Sequence, residues 1–115
     1  MTAWSAEDLA VLTAEAALSL TAGTEGSAWV EVGFVVVDDL VFVRAFRGPG
    51  SRWFQAAHAS RRGRIRVGSL DRAVAFAPDT EHSASVDGAY QARYSAASLV
   101  TNAQAHAATL RITPL

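Results

Sequence analysis

The 115-residue sequence contains no cysteine, which excludes disulfide stabilisation, thiol nucleophiles and the usual Cys-based zinc and redox sites. It has no excess of either charge: the formal net charge is −1, so the long-range positive field of a dedicated nucleic-acid binder is missing. Long apolar runs are absent too. The longest flank Asp38 and Asp39 and fall far short of the roughly 20 residues that a membrane-spanning helix needs. Glu7 and Asp8 interrupt the first candidate for a signal-peptide core. No serine stands in a Gly-x-Ser-x-Gly elbow, so hydrolytic catalysis has no support. No linker, low-complexity stretch or repeat divides the chain, and 115 residues close one hydrophobic core but hardly two. A single soluble domain over residues 1–115, placed in a reducing cytoplasm, is the expectation.

What is present is patterned for a sheet. Half of the residues are hydrophobic and 18% are charged, as in a folded domain that buries a core. Ser5 stands three residues before Asp8, and Leu9, Leu12 and Ala16 recur at helical spacing, so a helix should begin at Ser5. Residues 17–22 alternate as a short strand. Residues 29–37 and 40–46 are rich in β-branched and aromatic side chains on either side of Asp38-Asp39, the strongest hairpin in the chain. Alternation puts Leu40, Phe42, Arg44 and Phe46 on one face of its second arm. Both faces are apolar, and a second subunit is expected to cover the one that the barrel core does not.

After Gly48-Pro49-Gly50, Ser51 should cap a helix through Trp53, Phe54, Ala57 and His58 to about Arg61, ending near Gly63. Residues 64–69 and 72–77 alternate as two strands with Leu70-Asp71 as their turn. Val86, Ala89, Tyr90, Arg93 and Tyr94 share a helical face behind a Ser83 or Ser85 cap, and residues 105–113 give the last strand. Residues 95–104 carry no decisive pattern. Strands joined by short turns favour an antiparallel sheet, and this number can curl into a small barrel that hides its edges.

The chemistry concentrates where a strand passes through Arg47-Gly48-Pro49-Gly50-Ser51 into a helix. Free amides and the positive end of the helix dipole meet at such a start and stabilise an anion. Gly48 and Gly50 allow close backbone approach; Arg44, Arg47 and Arg52 supply charged donors, Ser51 a hydroxyl and Trp53 a flat surface beside them. The bland alternative is a turn, a cap and solvated arginines; the spacing matches neither a P-loop nor a dinucleotide fingerprint.

The run Phe46-Arg-Gly-Pro-Gly-Ser-Arg-Trp-Phe-Gln-Ala-Ala, with Gly63-Arg-Ile-Arg-Val-Gly68 and Ala89-Tyr-Gln-Ala-Arg-Tyr94, resembles a bacterial family of unknown function that is itself similar to the flavin- and deazaflavin-binding split-barrel, nitroreductase-like proteins. Arg47, Gly48, Ser51, Trp53 and Phe54 match the strand, Gly/Ser loop and aromatic helix of that group. The resemblance implies a mainly β fold, a six-stranded antiparallel split barrel of the flavin-reductase or pyridoxamine-phosphate-oxidase type with two or three short helices. It further implies a homodimer, flavin mononucleotide (FMN) or a deazaflavin coenzyme at the subunit interface, and oxidoreductase activity. The cofactor-binding residues would be Arg44, Arg47, Gly48, Gly50, Ser51, Arg52 and Trp53. Before Trp29 those relatives usually carry a Gly-Arg/Lys-Ser segment on the phosphate, where this chain has Thr24, Gly26 and Ser27.

Other readings are weaker. The alternative is a non-catalytic binding or structural protein that kept the barrel and lost the cofactor, which the missing segment supports. Arg61, Arg62, Arg64 and Arg66 form a basic patch, but no aromatic residues interleave with them as a nucleic-acid stacking platform requires. His58, His82 and His106 lack metal-ligand spacing and read as surface or capping residues. Asp38-Asp39 reads as a turn, and Tyr90 with Tyr94 as helix packing.

Overall fold

Ser5 opens the first element as its spacing predicts: its hydroxyl accepts the Asp8 amide at 3.1 Å and caps helix α1, Ala6–Ala14. The computed structural model describes residues 3–23, 28–94 and 102–115. Six strands follow, β1 (Ala17–Ala22), β2 (Val30–Val37), β3 (Leu40–Arg44), β4 (Arg62–Val67), β5 (Leu70–Pro78) and β6 (Thr109–Pro114). Helix α2 (Arg52–Ser60) lies between β3 and β4, while α3 (Ser83–Arg93) and α4 (Ala103–Ala107) lie between β5 and β6. The strands close into an antiparallel barrel in the order β1-β2-β3-β6-β5-β4. Closure leaves no full-length edge strand to pair with another chain.

Alternation decides which side chains fill the barrel. Leu18 and Leu20 of β1, Phe34 of β2, Val41 and Val43 of β3, and their counterparts on β4–β6 are buried in one core, joined by Phe54 and Ala57 of α2. Trp4 closes it, its indole N–H donating to the Ile112 carbonyl at 3.1 Å. The β2–β3 hairpin turns on Asp38 and Asp39, both at positive φ (51° and 64°), as a two-residue type I′ turn requires. Its outer face, Val35 and Phe42, packs against Val86 and Tyr90 of α3. That corrects the reason for expecting a second subunit here: the chain's own helix covers the face.

Several boundaries differ from the sequence reading. The β4–β5 turn is Gly68-Ser69 rather than Leu70-Asp71; Gly68 takes φ +55°, and Val67 pairs with Leu70. Gly63 does not end α2, which stops at Ser60 with Arg61 in the left-handed region. Gly63 lies inside β4, where a Cβ would fall 2.0 Å from the Thr21 carbonyl oxygen of β1. The last strand is shorter than expected because α4, capped by Asn102 accepting from the Ala105 amide at 2.9 Å, occupies its first part. No helix among the described residues is long and apolar enough to cross a membrane.

Candidate functional site

The strands that build the site are those that separate. β2 pairs with β3 from Val37↔Leu40 back to Phe34↔Val43, and no further. From Gly33 to Val30 it pairs only with β1, while β3 runs on along β6 and into the glycine loop. A cleft of about 1180 Å³ opens between the diverging arms. One wall is β2 with Trp29, Glu31 and Gly33, and the other is the loop and the start of α2.

Six of the seven residues singled out from the sequence line this cleft: Arg44, Arg47, Gly50, Ser51, Arg52 and Trp53. Gly48 is the exception. It is buried at φ +80°, and a Cβ there would meet the Gln104 side chain of α4 at 3.1 Å, so its role is to let the loop pass α4. Gly48–Gly50 form a single 3₁₀ turn ending at Ser51, which stands at the N-cap of α2 with extended backbone. Its hydroxyl makes no cap hydrogen bond, in contrast to the expected cap. Both the hydroxyl and the first amides of α2 are therefore available to an anion. Arg47 and Arg52 are exposed and make no ion pair among the described residues; Arg47 lies over the Phe46 ring at 5.5 Å. Trp29 is held from outside by Arg66, 4.2 Å above its ring. Glu31 is the one carboxylate among the described lining residues. Thr24, Gly26 and Ser27 lie outside the described residues.

Arg44 requires a correction. It was expected to face phosphate, but its guanidinium is committed behind the cleft wall. Nη1 bonds the Asp87 carboxylate, Nε donates to Thr109 Oγ1 at 2.9 Å, and Nη2 donates to the Ser83 carbonyl at 3.2 Å. A buried cation demands such partners, and the Arg44 side chain has no exposed surface at all. Asp87 also receives His106 Nε2 at 2.8 and 2.9 Å. Burial would raise the Asp87 carboxyl, yet the hydrogen bonds and charges of Arg44 and His106 hold it below the usual value. A second cluster repeats the chemistry: Asp79, almost fully buried, takes His82 Nδ1 at 2.9 Å and Arg111 at 3.0 Å.

The tyrosines pin α3 to β2. Tyr90 donates its hydroxyl to the Gly33 carbonyl at 3.1 Å, and burial pushes that hydroxyl far above its ordinary pKa. The Tyr94 oxygen accepts the Phe34 amide at 3.0 Å and lies within hydrogen-bonding reach of the Phe34 and Ala16 carbonyls. The basic patch is partly neutralised, since Asp71 of β5 bonds both Arg64 and Arg66. No cluster of three or more potential metal ligands occurs among the described residues.

Asp87 escaped the sequence reading. The signal was there: an arginine on the apolar face of a strand needs a carboxylate, and Asp87 stands one helical turn from both Ser83 and Tyr90 on α3. No curated protein matches the chain. A family model described as an uncharacterized protein conserved in bacteria (DUF2255) matches residues 7–112, from α1 into β6. The chain therefore belongs to this family of bacterial proteins.

Proposed function

We propose that the cleft binds FMN or a deazaflavin coenzyme and that the protein is a cytoplasmic oxidoreductase acting through it. One observation carries the reading: two arginines that make no ion pair among the described residues, an uncapped helix start and two indole side chains line one cleft. The donor set fits such a ligand at both ends. Arg47, Arg52, Ser51 and the first amides of α2 hold the phosphate, while Trp29 and Trp53 offer apolar surface for a ring system. The volume lies slightly above the roughly 300–1,000 Å³ of small-molecule sites, enough for a cofactor of this size. Arg44 acts indirectly, fixing α3 and the rear wall through Asp87. Hydride transfer is the chemistry the coenzyme supplies when bound, and the chain contributes position, charge and exclusion of water. A homodimer belongs to the same proposal. Trp29 and Phe46 beside the cleft are 38% and 54% exposed, and a second copy seated there would complete the cover.

The test is an absorbance spectrum of the purified protein followed by titration with FMN and a deazaflavin, read by tryptophan fluorescence. Saturable binding is expected, weakened by about 1.5–3 kcal/mol in Arg47→Ala, the range for a charged hydrogen bond. Absence of binding by both coenzymes overturns the proposal. It would favour the second reading, a non-catalytic barrel that has lost its cofactor, which the engagement of Arg44 and the carboxylate of Glu31 in the cleft support.

A further inference from the structure

Strand geometry decides which backbone groups the cleft presents. In a two-residue hairpin the flanking residues form a hydrogen-bonded pair, so Val37 and Leu40 exchange both bonds across Asp38-Asp39. Alternate residues then direct N–H and C=O to the same side: Val35 and Val37 toward β3, Val36 and Phe34 away from it. The register runs without a bulge into the β1 ladder, where Val32 opposes Leu18 and Val30 opposes Leu20. Glu31 and Gly33 therefore turn their amides and carbonyls away from β1, into the gap where β3 has departed. The tyrosines agree with this parity. Phe34 meets Tyr94 beside Ala16, on the β1 side, whereas the Gly33 carbonyl meets Tyr90, whose ring lies 5.8 Å from the Arg44 guanidinium on the β3 side.

Three groups are left facing the cleft: the Glu31 amide, the Glu31 carbonyl and the Gly33 amide. By this register none of them meets a paired strand residue, since the β2–β3 ladder ends at Phe34↔Val43. In order along the strand they read donor, acceptor, donor. The Tyr90 hydroxyl occupies the next acceptor, so the exposed edge is too short for an added peptide strand, which needs a run of alternating pairs. It suits a flat heterocycle instead.

We infer that this edge of β2 recognises a cyclic imide, whose carbonyl, N–H and carbonyl present acceptor, donor and acceptor in the complementary order. The inference rests on the coenzyme reading above and deepens it, since the pyrimidine ring of flavins and deazaflavins carries such an edge. With the phosphate at Arg47 and Arg52, the imide end lies along Glu31–Gly33.

Two measurements test this. Wild-type protein is titrated with FMN and with FMN methylated at the imide nitrogen, which loses the central donor; a loss of about tenfold or more in affinity is expected for the methylated form. In parallel, Glu31→Pro is compared with Glu31→Ala. Both lack the carboxylate, but only proline removes the amide, and FMN should bind the proline variant several-fold more weakly. Equal affinity for the two ligands, or for the two variants, overturns the inference while leaving the cleft reading intact, because FMN still binds. Failure of FMN to bind wild-type protein removes both.

Discussion

Replacing Asp87 by alanine leaves the Arg44 guanidinium without its carboxylate in a place where its side chain has no exposed surface. Breaking a buried ion pair by removing one member costs roughly 3–5 kcal/mol. Here Asp87 retains 24% exposure, and Thr109 Oγ1 and the Ser83 carbonyl still accept from Arg44, so about 2–3 kcal/mol is the reasoned loss. With a urea m-value of roughly 1–2 kcal/mol/M for a domain of this size, the unfolding midpoint should fall by about 1–3 M. Arg44→Met together with Asp87→Ala removes both charges and should be more stable than Asp87→Ala alone. The pH dependence follows from the carboxyl being held below its ordinary value of 3.8 in the fold. A depressed pKa contributes stability above the unfolded-state pKa and loses it as pH falls through the folded-state value. The deficit of Asp87→Ala should thus be complete near neutrality and shrink as the pH drops below about 4. A midpoint within about 0.3 M of wild type, or a double variant less stable than the single one, would refute the reasoning.

Two more outcomes follow from backbone geometry. Gly63→Ala places a methyl 2.0 Å from the Thr21 carbonyl oxygen and 2.9 Å from the Phe76 ring; because the first contact is backbone, a loss of about 3 kcal/mol or more is expected in urea unfolding. An unchanged midpoint would contradict the β1–β4 register. Asp38→Asn with Asp39→Gly supplies the pair that type I′ turns prefer at two residues with positive φ, and a gain of about 0.5–1 kcal/mol is expected from the same assay.

The alternation of residues 29–46, the Ser5 cap and the turn at Asp38-Asp39 made the hairpin and a barrel of about six strands readable before any coordinates, since each is local. The cleft-lining loop was readable for the same reason: glycines, arginines and a helix start lie within seven residues. What stayed hidden depended on residues far apart in the chain. Gly63 looked like a helix terminator because its reason, the passage of Thr21, lies some forty positions away. Leu70-Asp71 resembled a turn because Asp favours turns, whereas the positive φ that puts Gly68 in the true turn is a property of the folded backbone. Arg44 looked like a ligand for phosphate because its partners, Ser83 and Asp87 on α3 and Thr109 on β6, lie 39 to 65 positions away in the chain. The departure of β3 from β2, which creates the cleft, has no signature in either strand alone.

Helix α3 sits outside the closed ladder, attached by one small apolar cluster, two tyrosine hydroxyls and the acid–base groups around Asp79 and Asp87. Because none of the strand pairings includes it, its release would leave the ladder intact and should cost less than global unfolding. Such an excursion would release the Gly33 carbonyl and strip Arg44 of Asp87, enlarging the cavity from behind while the barrel stays shut. Amide hydrogens of α3 are therefore expected to exchange with solvent before those of the barrel strands.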